Sequence, residues 1–556
     1  MGGFKKIEDR PTPKEVYNWR VYALAIICGC GALTFGYDGM PQQLAVLMAG
    51  AFIGTTIARP SFKEAMGIDK MTKAQQTSMT TNLTSTFTGS AWFGAVFAWP
   101  CMEAFGRKRP MQVSAFLFNL GAILMTVTTH NLAMIYAGRA ITGFAVGVLT
   151  ATIPTFIAEF SPPAIRGQLT GFFEIAYQVG SLVGFWINYG ITSHMDVTSN
   201  TSWRVAMAVQ LIPGGMLAVG SVVLKESPGW LLRQGREDEA MTILSYVRQL
   251  PEDHEYIQQE VAMMRVVIDE ERKFAGGKRG MLPYLRAFAK ELQVPDMRHR
   301  MICLFCMFIL MNFSGAVVLN YYSPTLFTSV GIAKEDVNLY TGFYGLVKAV
   351  GAITFCLFIV DRSGRRVPWL LSASGCAITL IYIGAYVIAV DPASKKGMLS
   401  SAEQREGTGA VACIMLYSFI WSWGGNSLSW TVSSEMFPIS VRSLTGSFGA
   451  ATQWLSSFAA TMSAPHMQAA VGGWIFVFYG LCCVATAVFV FVLIPDTRGT
   501  PIESMGRLFG GPSKYCQWRQ KKVWPPNGIP PPVTEDMDGS GSPHVEKADY
   551  AHDEKV

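Results

Sequence analysis

The sequence predicts an all-α membrane protein in which twelve transmembrane helices form two parallel repeats of six. The 556 residues are 50% hydrophobic and only 15% are charged, whereas a soluble domain carries roughly 25% charge. Apolar runs of about 20 residues, the length that crosses a bilayer core, recur along the chain. Polar signatures at the ends of these runs recur in its second half. This composition argues against a soluble enzyme, a secreted disulfide scaffold and a disordered protein.

Twelve apolar segments are candidate spans. They cover residues 21–41, 82–102, 111–129, 132–157, 169–190, 205–224, 300–324, 338–360, 367–390, 409–433, 444–465 and 472–494. The polar segment between the sixth and seventh spans is expected to form short amphipathic helices at the membrane surface. The predicted organisation is an N-terminal segment (1–20), a first bundle (21–224), a cytoplasmic linker (225–299), a second bundle (300–494) and a largely disordered, Pro-rich and acidic tail (495–556).

Basic residues predict the orientation, because Lys and Arg concentrate in cytoplasmic loops. Basic residues are frequent in four regions, namely the N-terminal segment, the linker, the loop after span two (Arg107, Lys108, Arg109) and the loop after span eight (Arg362, Arg365, Arg366). With twelve spans, these four regions lie on one side of the membrane. We therefore expect both termini to be cytoplasmic.

The cysteines predict no metal or redox site. Most of the eleven lie inside apolar runs, and the Cys303-x-x-Cys306 pair is also in an apolar stretch, so buried thiols that pack as small hydrophobes are expected. The spans contain no nucleophile–base pair and no phosphate-binding loop. We therefore expect that the protein is not an enzyme and that it binds no cofactor, metal or nucleic acid.

An internal repeat relates the two bundles. Gly106-Arg107-Lys108 after span two corresponds to Gly364-Arg365-Arg366 after span eight. Glu159 and Arg166 after span four have the same spacing as Glu435 and Arg442 after span ten, and Glu226 after span six corresponds loosely to Pro495-Asp496-Thr497-Arg498. Parallel six-helix repeats are typical of secondary transporters that bind substrate between the halves.

These repeated charges are candidate gate residues. We expect them to form ion pairs between the bundles that hold the outward-open state, or alternatively only to anchor the topology. With Asp361, they are Arg107, Glu159, Arg166, Glu226, Arg365, Glu435 and Arg442.

On these motifs the chain resembles the sugar porter family of the major facilitator superfamily over about residues 20–510. The motifs are Gly138-Arg139-x3-Gly143-x3-Gly147, Pro163-x2-Arg166-Gly167, Glu226-Ser227-Pro228-x-Trp230-Leu231, Asp361-Arg362-x-Gly364-Arg365-Arg366 and Pro495-Asp496-Thr497-Arg498-Gly499. Within the family it is most similar to fungal quinate permeases, through residues 8–20, 183–190, 320–324 and 434–437. The resemblance implies the major facilitator fold and a plasma-membrane importer of a small polyhydroxylated molecule. We expect it to be a monomer in lipid.

Four ionisable residues lie inside spans, where charges are costly and usually functional. The resemblance places Asp38 at the acidic position of proton symporters, and its pairing with Arg139 suggests proton coupling or a static pair. Lys348 and Arg139 are the cations available to a substrate carboxylate, although Lys348 is alternatively a snorkelling residue. Glu174 occupies the position of the family's sugar-binding Gln, and Gln178 lies one turn later on the same face.

The resemblance also assigns other substrate-binding candidates. Trp430 matches the Trp that covers the sugar, Tyr321 and Tyr322 match the span-seven gate, and Asn320 beside them is a further substrate-binding candidate. Core packing is the alternative for these aromatic residues. In span seven, however, Met311, Asn312 and Val317 replace the family's two Gln and its sugar-ligating Asn, and Gln453 replaces an Asn in span eleven. Fewer amides disfavour glucose and favour a less hydroxylated or more apolar ring.

Residues Gly39–Gly50 form an insertion relative to quinate permease-like chains. Either Pro41 breaks the first span there, or the segment reflects a mis-drawn exon boundary.

Three functions remain open. The first is proton-coupled import, by alternating access, of quinate or a related cyclic polyol acid or sugar. The second is facilitated transport or export of a less polar metabolite. The third is a non-transporting nutrient sensor.

Overall fold

The computed structural model describes residues 12–39, 60–162, 165–196, 198–277, 280–316, 336–359, 363–392 and 400–495, with the single residues 319, 327, 332 and 395. Throughout this part of the chain the regular elements are helices. Several expectations fall outside it. The structure does not describe the insertion that follows Gly39, the tail beyond residue 495, or the residues Asn320, Tyr321, Tyr322 and Asp361. It also does not describe the side chains of Asp38 and Arg166.

The first bundle contains six long helical elements. They are α1 (Trp19–Gly39), α2 (Lys73–Phe105), α3 (Lys108–Val127), α4 (Leu132–Phe160), α5 (Arg166–His194) and α6, which joins Asn200–Val209 to Leu211–Val223. Helix α2 begins well before the predicted residue 82, because Thr72 and Gln75 form a capping box that satisfies its first backbone N–H groups.

The second bundle repeats this arrangement. It contains α7 (Pro295–Asn312), α8 (Val337–Thr354, extended by a π-helical turn Phe355–Ile359), α9 (Arg366–Val390), α10 (Ser401–Trp421 and Ser427–Glu435, joined by a π-helical turn Ser422–Asn426), α11 (Ile439–Val471) and α12 (Trp474–Leu493). Each predicted span overlaps one of these elements, the seventh over residues 300–312, so the twelve-helix prediction is confirmed.

Polarity differs among the helices. Seven of those described are long and apolar enough to cross a membrane on composition alone, namely α1, α3, α4, α6, α8, α9 and α12. Helix α2 fails that test because it carries buried hydroxyls, among them Thr80, Thr84 and Thr88. The hydroxyls of Thr84 and Thr88 donate to carbonyls one turn earlier, which removes much of the cost of burying them.

Four shorter helices occupy the linker, as the sequence predicts. They are Pro228–Arg233, Glu237–Arg248, Glu255–Phe274 and Met281–Glu291. The apolar faces of the first three form one cluster that includes Trp230, Leu244 and Ile257. The fourth packs through Phe288 into the core of the second bundle. The end of the bundles against which they pack is called the linker end below, and the opposite end is called the far end.

The two bundles meet along two helix pairs, α2 with α11 and α5 with α8. Helices α5 and α8 run antiparallel. Gly171 lies against Cys356 near the linker end, and Phe185 lies against Gly345 nearer the far end. The α5–α8 contact therefore spans much of the membrane depth and places side chains of the two bundles face to face.

Candidate functional site

A polar cluster from three helices lies between the bundles. Glu174 and Gln178 project from α5, and the Gln178 Nε2 donates to Glu174 Oε1 at 2.8 Å. Asn426 of α10 donates its amide to the same carboxylate oxygen. Lys348 of α8 interacts electrostatically with Glu174. The sequence-predicted residues Glu174, Gln178 and Lys348 are thus brought together.

The members of this cluster are deeply buried. Lys348 is 1% exposed and Glu174 is 9% exposed. The Lys348 Nζ lies 4.5 Å from the centroid of the Trp421 ring, a geometry that stabilises a desolvated ammonium. Lys348 therefore does not snorkel to a membrane surface but presents its charge inside the protein.

One polar atom in the cluster has no protein partner in the described part of the chain. Gln178 is 1% exposed, and its Oε1 makes no hydrogen bond there. A buried, unsatisfied amide oxygen costs about 1–3 kcal/mol. It is therefore a ready acceptor for a ligand hydroxyl.

The π-helical turn in α10 positions Asn426. Its glycines allow a close approach to α9, since a Cβ at Gly424 would lie 2.3 Å from the Ser372 Cβ. Ser372 Oγ accepts from the Gly425 N–H at 3.2 Å and donates to the Ile420 carbonyl at 2.8 Å. Turns of this kind are frequent at functional sites. The sequence analysis did not assign Asn426, although an amide beside two glycines inside a span was a usable signal.

Trp421 is held rigidly beside the lysine. Its indole N–H donates to Ser314 Oγ at 2.7 Å, and Tyr417 O–H donates to the Ser314 carbonyl at 2.9 Å. Both contacts tie α10 to the end of α7. The sequence analysis did not single out Trp421 or Tyr417.

Two predicted amide ligands pair with one another. Asn312 of α7 donates to Gln453 Oε1 of α11 at 2.8 Å and to the Phe308 carbonyl at 2.9 Å. The Trp430 ring lies edge-on to Phe308, with ring centroids 4.9 Å apart. Asn312, Gln453 and Trp430 therefore form a second group, which joins α7, α10 and α11.

A tryptophan that the sequence analysis missed inserts into the first bundle. Trp454 of α11 donates its indole N–H to Thr150 Oγ1 of α4 at 3.1 Å. Its ring centroid lies 5.2 Å from that of Phe35 and 5.9 Å from that of Phe87. One side chain of the second bundle thus contacts three helices of the first.

Arg139 of α4 is fully buried, with its guanidinium carbon 4.3 Å from the centroid of the Phe87 ring. Its pairing with Asp38 stays a prediction, because the Asp38 side chain is not described.

The gate residues that are described pair within each bundle, unlike the predicted pairing between bundles. Arg107 contacts Glu159 at 3.0 Å, and its backbone N–H donates to Glu226 at 2.8 Å. Arg365 contacts Glu435 at 3.0 Å. These pairs join the ends of neighbouring helices in the same half, because each arginine begins the helix after a short turn. Arg442 donates to the Phe437 carbonyl at 3.2 Å.

The linker extends the first of these ion pairs. Arg107 also approaches Glu103, which lies 3.8 Å from Arg233 of the linker. Arg233 in turn makes a two-pronged contact with Glu271 at 2.7 and 2.8 Å. Burial raises the pKa of Glu271, while the Arg233 charge opposes that rise. A chain of alternating charges therefore runs from α4 through α2 into the linker.

Within the described residues, no group of three or more His, Cys, Asp or Glu side chains has metal-binding geometry. The described polar groups between the bundles are instead amides, hydroxyls, aromatic rings and the buried carboxyl of Glu174 beside the amine of Lys348. Such groups suit a polar organic solute.

Two six-helix bundles with a buried polar cluster between them define a secondary transporter of the major facilitator superfamily. Residues 24–509 match the family described as "Sugar (and other) transporter", and the chain belongs to that family. It is 38% identical over 512 residues to a probable quinate permease of Aspergillus flavus, covering 90% of each chain.

Solved structures agree on the fold. The structure of the proton:xylose symporter XylE bound to 6-bromo-6-deoxy-D-glucose is similar, with 22% sequence identity and a TM-score of 0.72. The match covers 88% of this chain and 99% of the symporter. An inward-open structure of XylE from E. coli has the same coverage, 21% identity and a TM-score of 0.66.

Proposed function

We propose that this protein imports quinate or a related cyclic polyol acid across the plasma membrane, driven by the proton gradient. The observation that carries the proposal is the buried ammonium of Lys348, held between the bundles in the same cluster as the unsatisfied Gln178 Oε1. A neutral sugar does not require a buried cation, whereas a carboxylate substrate does. The naming of relatives as probable quinate permeases supports the same substrate class.

The ring hydroxyls have suitable partners near this cation. Gln178 offers its free Oε1, and Asn426 offers its amide. Trp430, Asn312 and Gln453 line the neighbouring α7–α11 contact, and we assign Asn320 and Tyr321 to the substrate path as well. Met311 lies where the family has an amide, which lowers the hydrogen-bonding capacity for a hexose.

Proton coupling is assigned to Asp38 and Arg139. An Asp that pairs with a buried Arg when ionised and releases it when protonated links a proton to a change of conformation. The full burial of Arg139 supports this role, because a desolvated guanidinium strongly favours a carboxylate partner.

We also propose that the linker end faces the cytoplasm, with both termini on that side. The basic loops after α2 and α8 support this orientation. The ion pairs of Arg107 and Arg365 then stabilise the cytoplasmic ends of each bundle during alternating access. Arg166, Glu226, Asp361 and Arg442 complete this set of gate residues.

Uptake of labelled quinate by cells that express the chain tests the proposal, with external pH recorded in parallel. We expect saturable uptake, competition by related ring acids and external alkalinisation that is lost in Asp38→Asn. Absence of quinate uptake, with the protein shown at the cell surface, would overturn it.

A second candidate is facilitated transport or export of a less polar metabolite. It is favoured by Met311, an apolar side chain at a position where the family has an amide. Accumulation of such a compound in cells that lack the protein, without any effect of external pH, would support this function.

A further inference from the structure

We propose that Glu174 competes with the substrate carboxylate for Lys348, and that Glu174 carries a proton whenever the substrate occupies the cation. This inference rests on the proposed function. It assigns a second proton-carrying group, on α5, besides the Asp38–Arg139 pair on α1 and α4. It also makes the substrate's own charge part of the coupling.

The geometry places the competing groups on opposite bundles. Glu174 belongs to the first bundle, whereas Lys348 and Asn426 belong to the second. The hydrogen bond from Asn426 to Glu174 and the electrostatic interaction of Lys348 with Glu174 both cross the interface that must open during transport. A carboxylate of the substrate that binds Lys348 therefore replaces an interaction between the bundles.

The surroundings of Glu174 provide little else to balance its charge. The titratable groups near it are Tyr177 on α5, Lys348 and Tyr344 on α8 and the Cys356 thiol one turn nearer the linker end. Helix α1 packs on this stretch of α5 through Gly29 and Phe35, and α10 contributes the neutral Asn426 and Trp421. Among the described groups, Lys348 is thus the counter-charge of Glu174.

Loss of that counter-charge forces a change of protonation. A buried carboxylate without a cation is strongly disfavoured against its neutral form. When the substrate takes Lys348, Glu174 accepts one proton from the external side, and it returns that proton to the cytoplasm when the substrate leaves. The step moves one negative charge and one proton inward, so it is electrically neutral.

The family position explains why this device suits an acid. The resemblance places an uncharged Gln where this chain has Glu174, which is sufficient for a neutral sugar. A Glu at that position holds Lys348 as an ion pair when the site is empty. It also returns the cation to its resting partner after release of the substrate.

The test measures labelled quinate uptake and the accompanying proton flux in Glu174→Gln. We expect accumulation against a gradient to fall at least tenfold, and the remaining uptake to carry fewer protons per quinate and to depend less steeply on external pH. Glu174→Asp retains a carboxylate and is expected to restore the pH dependence. The matched control is Glu403→Gln, which makes the same change in an exposed Glu–Lys pair at the far end of α10 and should leave uptake unchanged.

The outcomes separate the two proposals. Absence of quinate uptake by the wild-type chain contradicts the proposed function itself. The role of Glu174 alone is overturned if the wild-type chain takes up quinate and Glu174→Gln, present at the normal level at the cell surface, has an unaltered pH profile and proton-to-quinate ratio. Loss of the pH dependence in Glu174→Asp would likewise count against it, since a titratable group is still present.

Discussion

Lys348 lies at a point where a helix of one bundle faces a carboxylate of the other. Its Nζ lies 4.5 Å from the centroid of the Trp421 ring, and its charge interacts electrostatically with that of Glu174. Burying a charge is tolerated when a partner of opposite sign is close. The same requirement makes the site selective, because only a ligand with its own carboxylate can replace that partner.

Lys348→Gln is predicted to weaken binding of an anionic substrate more than that of a neutral polyol. A charged hydrogen bond contributes about 1.5–3 kcal/mol, which corresponds to a rise in KM of about 10- to 100-fold for quinate. Concentration-dependent uptake of both kinds of substrate measures the effect. Lys395→Gln, which changes an exposed lysine at the far end, is the control. An equal loss for charged and neutral substrates would contradict the assignment.

The sequence predicted part of this cluster and missed the rest. Glu174 and Lys348 were found because ionisable groups within apolar spans are conspicuous, and Gln178 because it lies one turn from Glu174 on the same helix face. Asn426 and Trp454 were not, since an amide or a tryptophan in a span is equally compatible with the interior of one bundle. Asn426 faces the other bundle because of the π-helical turn, and Trp454 does so because of how the bundles pack together. Local sequence specifies neither feature.

At the scale of elements, one buried arginine of the linker, Arg248, connects the linker to the first bundle. Arg248 and Glu260 form two hydrogen bonds, at 2.6 and 3.0 Å, and both side chains are almost fully buried. Arg248 also donates to the Phe160 carbonyl at the end of α4, at 2.7 Å. This arginine thus joins two linker helices to a transmembrane helix whose last carbonyls need a donor.

Arg248→Met is predicted to lower the stability of the purified protein by about 3–5 kcal/mol, because it leaves the Glu260 charge buried without a cation. The double variant Arg248→Met/Glu260→Leu removes both charges and should recover most of that loss. Thermal unfolding in detergent, followed by the fraction that remains monodisperse, compares the variants. Equal destabilisation by the single and double changes would show that packing, not charge, dominates.

Element boundaries illustrate what pattern reading misses. The apolar run predicted the middle of α2, but its start depends on the capping box at Thr72 and on buried threonines that bond to their own helix. Hydropathy alone therefore underestimates the length of a helix whose polar face is buried against other helices.

At the scale of the whole molecule, the two repeated halves and their twelve helices followed from the sequence, whereas the state of the transporter did not. The described ion pairs of Arg107 and Arg365 lie within one bundle, and most contacts between the bundles come from α5 with α8 and α2 with α11. A repeat in sequence records the shared fold of the halves, not how the halves are placed in one conformation.

A cysteine bridge across the bundles is predicted to stop transport. A Cβ placed at Gly171 lies 3.9 Å from the Cys356 Cβ, close to the mean separation of about 3.8 Å in disulfides. Gly171→Cys should therefore form a disulfide with Cys356 under mild oxidation, hold the linker end closed and abolish uptake reversibly on reduction.

The double variant Gly171→Cys/Cys356→Ser serves as the control, since it cannot form this bridge and should keep its uptake under oxidation. Full cross-linking with undiminished uptake would contradict a mechanism in which α5 and α8 separate at this level.

The most direct test of the central claim uses purified protein in liposomes that contain a pH-sensitive dye. If the chain couples a cyclic polyol acid to protons, external quinate will acidify the interior in a saturable manner, and a neutral ring polyol will do so far less. Quinate entry without acidification, or no quinate entry by protein shown to be folded and correctly inserted, would contradict it.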